Sequence, residues 1–162
     1  MSISEIARKY VGQREIKGNM GFVDHGFDDL MRKYGFMSGQ AWCLHFVRMV
    51  WRECGQRTTL ISPSAVGTMR LASADGNWHT KPVVGSVAIF RSFKNGKALS
   101  TGHGAIVTEV REDGYTTCDG NTNDKGGREG IMVALRHRHL TAEHWTRKDG
   151  LRLMGFVYPK CH

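Results

Sequence analysis

The fold is decided by the stretch Gly39-Gln40-Ala41-Trp42-Cys43-Leu44-His45-Phe46-Val47, in which a glycine-containing approach runs into a strongly apolar segment. Apolar residues continue at helical spacing to Cys54, and Gly55 follows as a helix stop. The pattern predicts a helix over residues 42–54. Because this helix is apolar over most of its circumference, we expect other elements to cover it on several sides.

A cysteine at the start of a helix is a candidate nucleophile, and Cys43 holds that position. N–H groups in the first helical turn have no partner within the helix, and the helix dipole adds about half a positive charge there, so a thiolate is stabilised. Acyl chemistry also requires a base that takes the thiol proton and a third group that orients the base. The rest of the chain must supply these two groups.

Two later segments carry suitable side chains. Gly102-His103-Gly104-Ala105-Ile106-Val107 is typical of a glycine-flanked histidine at the start of an apolar strand. Cys118-Asp119-Gly120-Asn121-Thr122-Asn123 is typical of the end of the next strand, where Asp119 and Asn121 would share one face. We interpret His103 as the base and either Asp119 or Asn121 as the group that orients it.

The developing oxyanion needs hydrogen-bond donors. The backbone N–H of Cys43 is one candidate, and the side-chain amide of Gln40 is a tentative second one. Each side chain also has an ordinary interpretation, as core cysteine, structural histidine or turn residue. The chemical hypothesis therefore depends on the combination rather than on any single residue.

The remaining pattern predicts an α+β domain with helices first and strands second. Helices are predicted over residues 3–11, 27–34 and 42–54 and from Ser62-Pro63 to about residue 72, with a loop over residues 12–19. Strands are predicted over residues 86–91, 103–110, 115–119, 131–136 and 151–158. We expect one antiparallel sheet of about five to six strands, with the cysteine helix packed on it.

Length and charge limit the function classes. The chain has 162 residues, which fits a single domain over residues 1–162, and it carries a net charge of +8. This charge favours polyanionic partners such as the bacterial cell wall, whereas no nucleic-acid-binding motif accompanies the basic residues. No apolar run is long enough for a membrane span, and the N-terminus lacks the pattern of a Sec-type signal.

Metals, disulfides and cofactors are not predicted. The four cysteines, Cys43, Cys54, Cys118 and Cys161, form no CxxC pairs and are not needed as staples in a chain of this length. Asp24, Asp28 and Asp29 do not match a calcium-binding loop. His45 lies two residues after Cys43 and is expected to point to a different face of the helix. The other six histidines outside the proposed site are interpreted as surface or loop residues: His25, His79, His137, His139, His144 and His162. The segment Arg136-His137-Arg138 could contact an anionic substrate.

The three motif segments together resemble the CHAP family of cysteine- and histidine-dependent amidohydrolases and peptidases. They are Ala41-Trp42-Cys43-x-x-Phe46-Val47, Gly102-His103-Gly104-Ala105-Ile106-Val107 and Asp119-Gly120-Asn121-Thr122-Asn123. Similarity extends to Glu15-Ile16-Lys17-Gly18-Asn19, Ser62-Pro63-Ser64-Ala65-Val66 and residues 121–130, so that it covers about residues 10–136. The resemblance implies a papain-like fold and hydrolysis of amide bonds in peptidoglycan.

The resemblance also assigns roles by match. Cys43 would be the nucleophile, His103 the base, Asp119 would occupy the usual glutamate position, and Asn121 would be the asparagine that follows it. Asp119 is one methylene shorter than that glutamate, which leaves Asn121 as the alternative orienting residue. Gly104 replaces a bulkier apolar residue and Ser86 replaces an aspartate.

The leading hypothesis is a monomeric peptidoglycan amidase or endopeptidase that needs no cofactor. It would be made in the cytoplasm without a Sec signal and act in the periplasm or cell wall. A phage-type lysin and a secreted antibacterial effector both fit, the latter with an immunity or delivery protein as partner. The alternatives are an amidase of a small non-wall substrate and a catalytically degenerate, basic wall-binding module.

Overall fold

The computed structural model describes residues 1–122 and 131–160, which form an α+β fold. Its helices are α1 (Ile3–Lys9), α2 (His25–Lys33), α3 (Cys43–Glu53), α4 (Ala65–Ala74) and α5 (Ala142–Thr146). Its strands are β1 (Glu15–Ile16), β2 (Gly21–Phe22), β3 (Val87–Lys94), β4 (Lys97–Arg111), β5 (Gly114–Thr122), β6 (Met132–His139) and β7 (Gly150–Val157). Residues 123–130, Cys161 and His162, which enter the sequence interpretation, lie outside the described residues.

The main sheet has five antiparallel strands in the order β6-β5-β4-β3-β7. One face packs against the N-terminal helices through residues such as Ile89, Ile106 and Cys118. The other face carries a second apolar cluster that includes Phe90, Tyr115 and Phe156, with Trp145 of α5 packed against it. The papain-like α+β architecture predicted from the sequence is confirmed.

Helix α3 is the central helix, as its apolar pattern predicts. Every residue from Cys43 to Trp51 is buried except Arg48, which is half-buried. The Trp51 indole donates a hydrogen bond to the Gly85 carbonyl at 3.1 Å, which ties the far end of α3 to the approach to β3. At 11 residues α3 is the longest helix in the described part of the chain, where no helix could span a membrane.

Local signals at two other helix starts had different outcomes. The predicted capping box of α1 is confirmed, since Ser2 Oγ accepts from the Glu5 N–H and Glu5 Oε2 accepts from the Ser2 N–H. Helix α4 begins later than predicted, because Ser64 rather than Ser62 is its N-cap and accepts from the Gly67 N–H at 3.0 Å. Ser62 Oγ instead accepts from the Ser64 N–H.

Three short elements were not predicted from the sequence. Residues 12–19 were predicted as a loop, but Glu15–Ile16 pairs with Gly21–Phe22 in a small two-stranded sheet. Helix α5 was not predicted at all, because five residues are too few to show a helical period. It begins just after β6 and covers the second apolar cluster of the sheet.

Candidate active site

Two glycines allow the first turns of α3 to lie directly against the sheet. A Cβ atom at Gly104 would clash with Leu44, and one at Gly120 would lie 2.8 Å from Phe46 Cβ. These glycines immediately follow His103 in β4 and Asp119 in β5. Close approach at Gly104 and Gly120 therefore holds the start of α3 beside the strands that carry the two polar residues.

The start of α3 opens into a cavity of about 560 Å³. Cys43, His103, Asp119 and Asn121, the four residues that the sequence proposes as catalytic, all line it. The rest of the lining contributed by the described residues is Ala41, Ser92, Thr101, Gly102, Arg136, Arg138, His144, Arg147, Gly150 and Leu151. Tertiary structure thus gathers the four proposed catalytic residues, which span 78 positions of the chain from Cys43 to Asn121.

Cys43 is the first residue of α3, and only 7% of its surface is exposed. Burial alone would raise the pKa of its thiol. Interaction with the His103 ring, together with hydrogen bonds from the backbone N–H groups of Gly104 and Leu44, instead lowers this pKa below its ordinary value. Trp42, the preceding N-cap residue, has no side-chain oxygen to occupy those helix-start donors. The environment therefore favours the thiolate.

His103 lies between the thiol and a carboxylate. Its Nε2 is 2.7 Å from Asp119 Oδ2, and 12% of its side chain is exposed. Burial would lower the pKa of His103, but Asp119 and Cys43 raise it to about 9. Because Asp119 engages Nε2, Nδ1 is the ring nitrogen that remains for the thiol. The two shifts favour a thiolate–imidazolium pair over a neutral thiol beside a neutral imidazole.

Asp119 is held by donors on both carboxylate oxygens. Arg138 Nη2 donates to Oδ2 at 2.6 Å, and Thr117 Oγ1 donates to Oδ1 at 2.5 Å. Burial would raise the pKa of Asp119, but the Arg138 guanidinium and the bonds from His103 and Thr117 hold it well below its usual range. The shorter side chain thus reaches the imidazole and remains ionised there.

Asn121 lines the cavity, but it does not share a strand face with Asp119 in the regular way that alternation along β5 predicts. Its backbone is left-handed, with φ of 54°, and the β5–β6 register shifts between Asp119 and Thr122. The regular two-residue repeat therefore ends at Asp119. It is Asp119 that contacts His103 Nε2.

Sequence reasoning missed the roles of Arg138 and His144. Arg138 was interpreted only as part of a basic segment, but its guanidinium bonds Asp119 and lies 4.3 Å from the centre of the Phe90 ring. The interpretation of His144 as a surface or loop residue is wrong, because it is 7% exposed and bonded to the Tyr115 hydroxyl at 2.8 Å. Alternation along β6 puts Arg136 and Arg138 on one face of the sheet, but the sequence does not show which strand lies beside β6.

The tentative oxyanion donor is not brought into the site. Gln40 is absent from the described cavity lining, and its Oε1 accepts a hydrogen bond from the Met37 N–H at 3.0 Å. The amide closes the local turn before α3. Among residues 1–122 and 131–160, no three His, Cys, Asp or Glu side chains form a group that could hold a metal ion.

Comparison with known proteins places this geometry in a family. The CHAP domain model matches residues 35–121, more than half of the chain, and the match includes Cys43, His103 and Asp119. No curated protein matches the chain. Because the matched part contains the thiol-bearing helix and both strands that supply its polar partners, the chain belongs to the CHAP family, whose activity is of the amidase and peptidase type.

Proposed function

We propose that this protein is a cysteine-dependent peptidoglycan hydrolase, an amidase or endopeptidase that cleaves amide bonds of cell-wall peptides. One observation carries the proposal: a buried thiol, an imidazole and an ionised carboxylate stand in sequence in one open cavity. In that order the groups suit a nucleophile, a base and an orienting residue.

In the first half of the reaction, the Cys43 thiolate attacks the carbonyl carbon of the amide. A C–S bond forms and the carbonyl electron pair moves to oxygen. The backbone N–H of Cys43, at the uncapped start of α3, stabilises that oxyanion. The C–N bond then breaks as the His103 imidazolium delivers its proton to the leaving nitrogen, which departs as an amine and leaves a thioester.

In the second half, a water molecule hydrolyses the thioester. His103, now neutral, takes a proton from the water as its oxygen attacks the acyl carbon. The C–S bond breaks, a carboxylic acid is released, and Cys43 and His103 return to the thiolate–imidazolium pair. Through its bond to Nε2, Asp119 orients the ring and stabilises its charged form in both halves.

Charge supports the cell wall as the substrate. The chain carries a net charge of +8, which favours association with an anionic wall. The described cavity lining contains three arginines and a single carboxylate, that of Asp119. Family resemblance and charge together favour peptidoglycan over a small, uncharged amide. Binding without catalysis would not require the lowered pKa of the Cys43 thiol or the raised pKa of His103.

The test is hydrolysis of purified peptidoglycan by the full chain, followed by turbidity and by release of new amines. Cys43→Ala is expected to abolish both signals. Cys54→Ala is the matched control, because Cys54 is the C-cap residue of the same helix and lies outside the described cavity lining. Equal clearing by the Cys43→Ala variant and wild type would contradict the nucleophile assignment. Sedimentation with walls but no amine release would indicate a binding module.

Mass analysis of the released fragments identifies the bond that is cut. Fragments with a free lactyl carboxyl indicate an amidase, whereas fragments with new amino-acid termini indicate an endopeptidase. We further propose that the protein acts as a monomer in the periplasm or cell wall, as a phage-type lysin or a secreted antibacterial effector. An effector requires a protective protein in the producing cell, so co-purification from that cell tests this choice.

A further inference from the structure

A second histidine lines the active-site cavity, and the mechanism above does not use it. His144 belongs to α5, is 7% exposed, and packs against Phe90 with 5.7 Å between ring centres. Phe90 also lies 6.2 Å from the His103 ring. His144 is therefore a buried, packed side chain of the cavity wall rather than a surface side chain.

The protonation state of His144 is set by its surroundings. Burial, and the positive charges of Arg138 and Arg147, lower its pKa to about 4, which the nearby Glu143 only partly opposes. At neutral pH the ring is therefore uncharged and carries a single N–H. The position of that N–H decides what the ring can contribute to the cavity.

Tyr115 determines which ring nitrogen carries the proton. Its hydroxyl lies 2.8 Å from His144 Nε2, and burial raises the pKa of the phenol well above its ordinary value. The phenol therefore keeps its proton. The described contacts provide no other acceptor for that proton, and leaving a buried donor unpaired is costly. The favoured arrangement has the Tyr115 hydroxyl donating to Nε2, with the histidine proton on Nδ1.

We propose that His144 binds the substrate, donating a hydrogen bond from Nδ1–H to a carboxylate oxygen and so selecting for peptides with a free carboxyl group. The inference rests on the proposed function and assigns a substrate feature to the same cavity. Arg138 and Arg147 also line the cavity and place positive charge near His144. Arg138 is paired with Asp119 and Arg147 with the exposed Glu143, and each guanidinium keeps N–H groups that these carboxylates do not use. A group that offers only acceptors and a negative charge complements this wall.

A carboxamide would complement the wall less well than a carboxylate. Its oxygen can accept one hydrogen bond, but its NH₂ group would face donors, and the charge attraction would be lost. The proposed discrimination is therefore between two chemical forms of one peptide, with its carboxyl groups free or amidated.

The first experiment reads the tautomer directly in the intact protein. ¹⁵N NMR of histidine-labelled protein is expected to show His144 as the neutral Nδ1–H form from about pH 5 upward, with the signal assigned by its loss in His144→Gln. Tyr115→Phe removes the hydroxyl donor and is expected to mix the two tautomers. An Nε2–H tautomer, or a charged His144 ring at neutral pH, would overturn the proposal. This measurement requires no hydrolysis.

The second experiment measures binding in the Cys43→Ala background, where no turnover occurs. The probes are a synthetic stem peptide with all carboxyl groups free and the same peptide with all of them amidated. We expect the free form to bind about tenfold more tightly, and His144→Phe to weaken only that form, by about three- to tenfold. His139→Phe is the matched control, because 71% of the His139 side chain is exposed and it lies outside the described lining.

Three outcomes separate this proposal from the proposed function. If His144→Phe and His144→Gln weaken both peptides equally, or neither, His144 is structural and the proposal is wrong even though hydrolysis continues. If wild type does not hydrolyse walls but the His144-dependent preference persists, the proposed catalysis fails and the carboxylate subsite stands. If His144→Phe does not fold, His144→Gln decides: because Gln can still donate, it is expected to keep the preference for the peptide with free carboxyl groups, and equal binding of the two peptides would overturn the proposal.

Discussion

His103 and His144 line the same cavity and contact the same phenylalanine, yet their pKa values move in opposite directions. The pKa of His103 is raised to about 9, and the pKa of His144 is lowered to about 4. Burial lowers both, so burial does not explain the difference. The difference comes from neighbours: His103 lies between a carboxylate and a thiol, whereas His144 lies near two arginines and against a neutral phenol.

Arg138 connects these two environments. Its guanidinium holds Asp119 ionised, which favours the charged form of His103, and its charge disfavours the charged form of His144. A single partly buried cation thus supports opposite states in two imidazoles of one site. Pairs of titratable groups whose surroundings separate their pKa values commonly mark distinct chemical roles. Here the proposed roles are a charged proton donor for His103 and a neutral hydrogen-bond donor for His144.

The largest expected effect comes from removing the carboxylate that distinguishes His103. Asp119→Asn should lower the pKa of His103 toward its ordinary value and reduce kcat by at least about 100-fold, because the neutral asparagine side chain does not stabilise the imidazolium as the carboxylate does. His144 should remain neutral. Histidine NMR and steady-state kinetics on peptidoglycan fragments measure both effects. Asn121→Ala is the comparison variant and should lose much less activity; equal, slight losses in both would remove the orienting role from this strand end.

The next effect comes from separating the thiol from His103 without changing either residue. Gly120→Ala introduces a Cβ atom 2.8 Å from Phe46 Cβ, so the start of α3 must shift away from β5. We expect activity to fall by about tenfold or more and stability to fall by about 1–3 kcal/mol. The pKa of His103 should fall as the thiolate withdraws, while His144 remains unchanged. Denaturant unfolding and histidine NMR test this; unchanged activity would mean that close packing at Gly120 does not position Cys43.

A smaller effect is expected from replacing the cation that links the two histidines. Arg138→Met should raise the pKa of His144 and that of Asp119, and reduce kcat by about tenfold, because Asp119 loses its nearest positive charge. Arg152→Met provides a matched control, since Arg152 also lies over an aromatic ring, Phe93, but outside the described cavity lining. If the two variants leave His144 equally unchanged, Arg138 is not what keeps it neutral.

The smallest effect concerns the pH dependence of the thiol. Because the pKa of Cys43 lies below its ordinary value, its alkylation by iodoacetamide should remain fast well below pH 9. Activity should decline as the pH rises through about 9, where His103 loses the proton it delivers to the leaving group. Cys118 is the internal control, because it is fully buried and its pKa is raised, so it should remain unlabelled. Peptide mass spectrometry follows both thiols, and slow labelling of Cys43 at neutral pH would contradict the thiolate–imidazolium pair.

Much of the fold could be predicted because its signals are local. The apolar period of α3, the capping box of Ser2 and Glu5, and the change from helical to strand patterns each depend on residues within a few positions of one another. Short elements were missed for the same reason. A two-residue strand such as Glu15–Ile16, or the five-residue helix α5, has no period of its own and exists because the tertiary structure holds it.

The candidate site also has a part that the sequence predicts and a part that it does not. Cys43, His103 and Asp119 carry motif signals and are brought into one cavity, while their catalytic roles stay predictions. The choice between Asp119 and Asn121 as neighbour of His103 could not be made from the sequence. It depends on a register shift and a left-handed residue at the end of β5. Likewise, the hydrogen bond between Gln40 and Met37 could not be predicted from composition or spacing, so the sequence could not exclude Gln40 as an oxyanion donor.

By itself the sequence determined the order of the longer helices and strands, the thiol at a helix start, and the residue types available for acid–base chemistry, because each is encoded within a short window of the chain. Only the tertiary structure decided which charges surround each imidazole. Arg138 acts on Asp119 from 19 positions away, and Tyr115 acts on His144 across 29. Electrostatic environment depends on distance in space and on burial, and neither quantity is a function of separation along the chain.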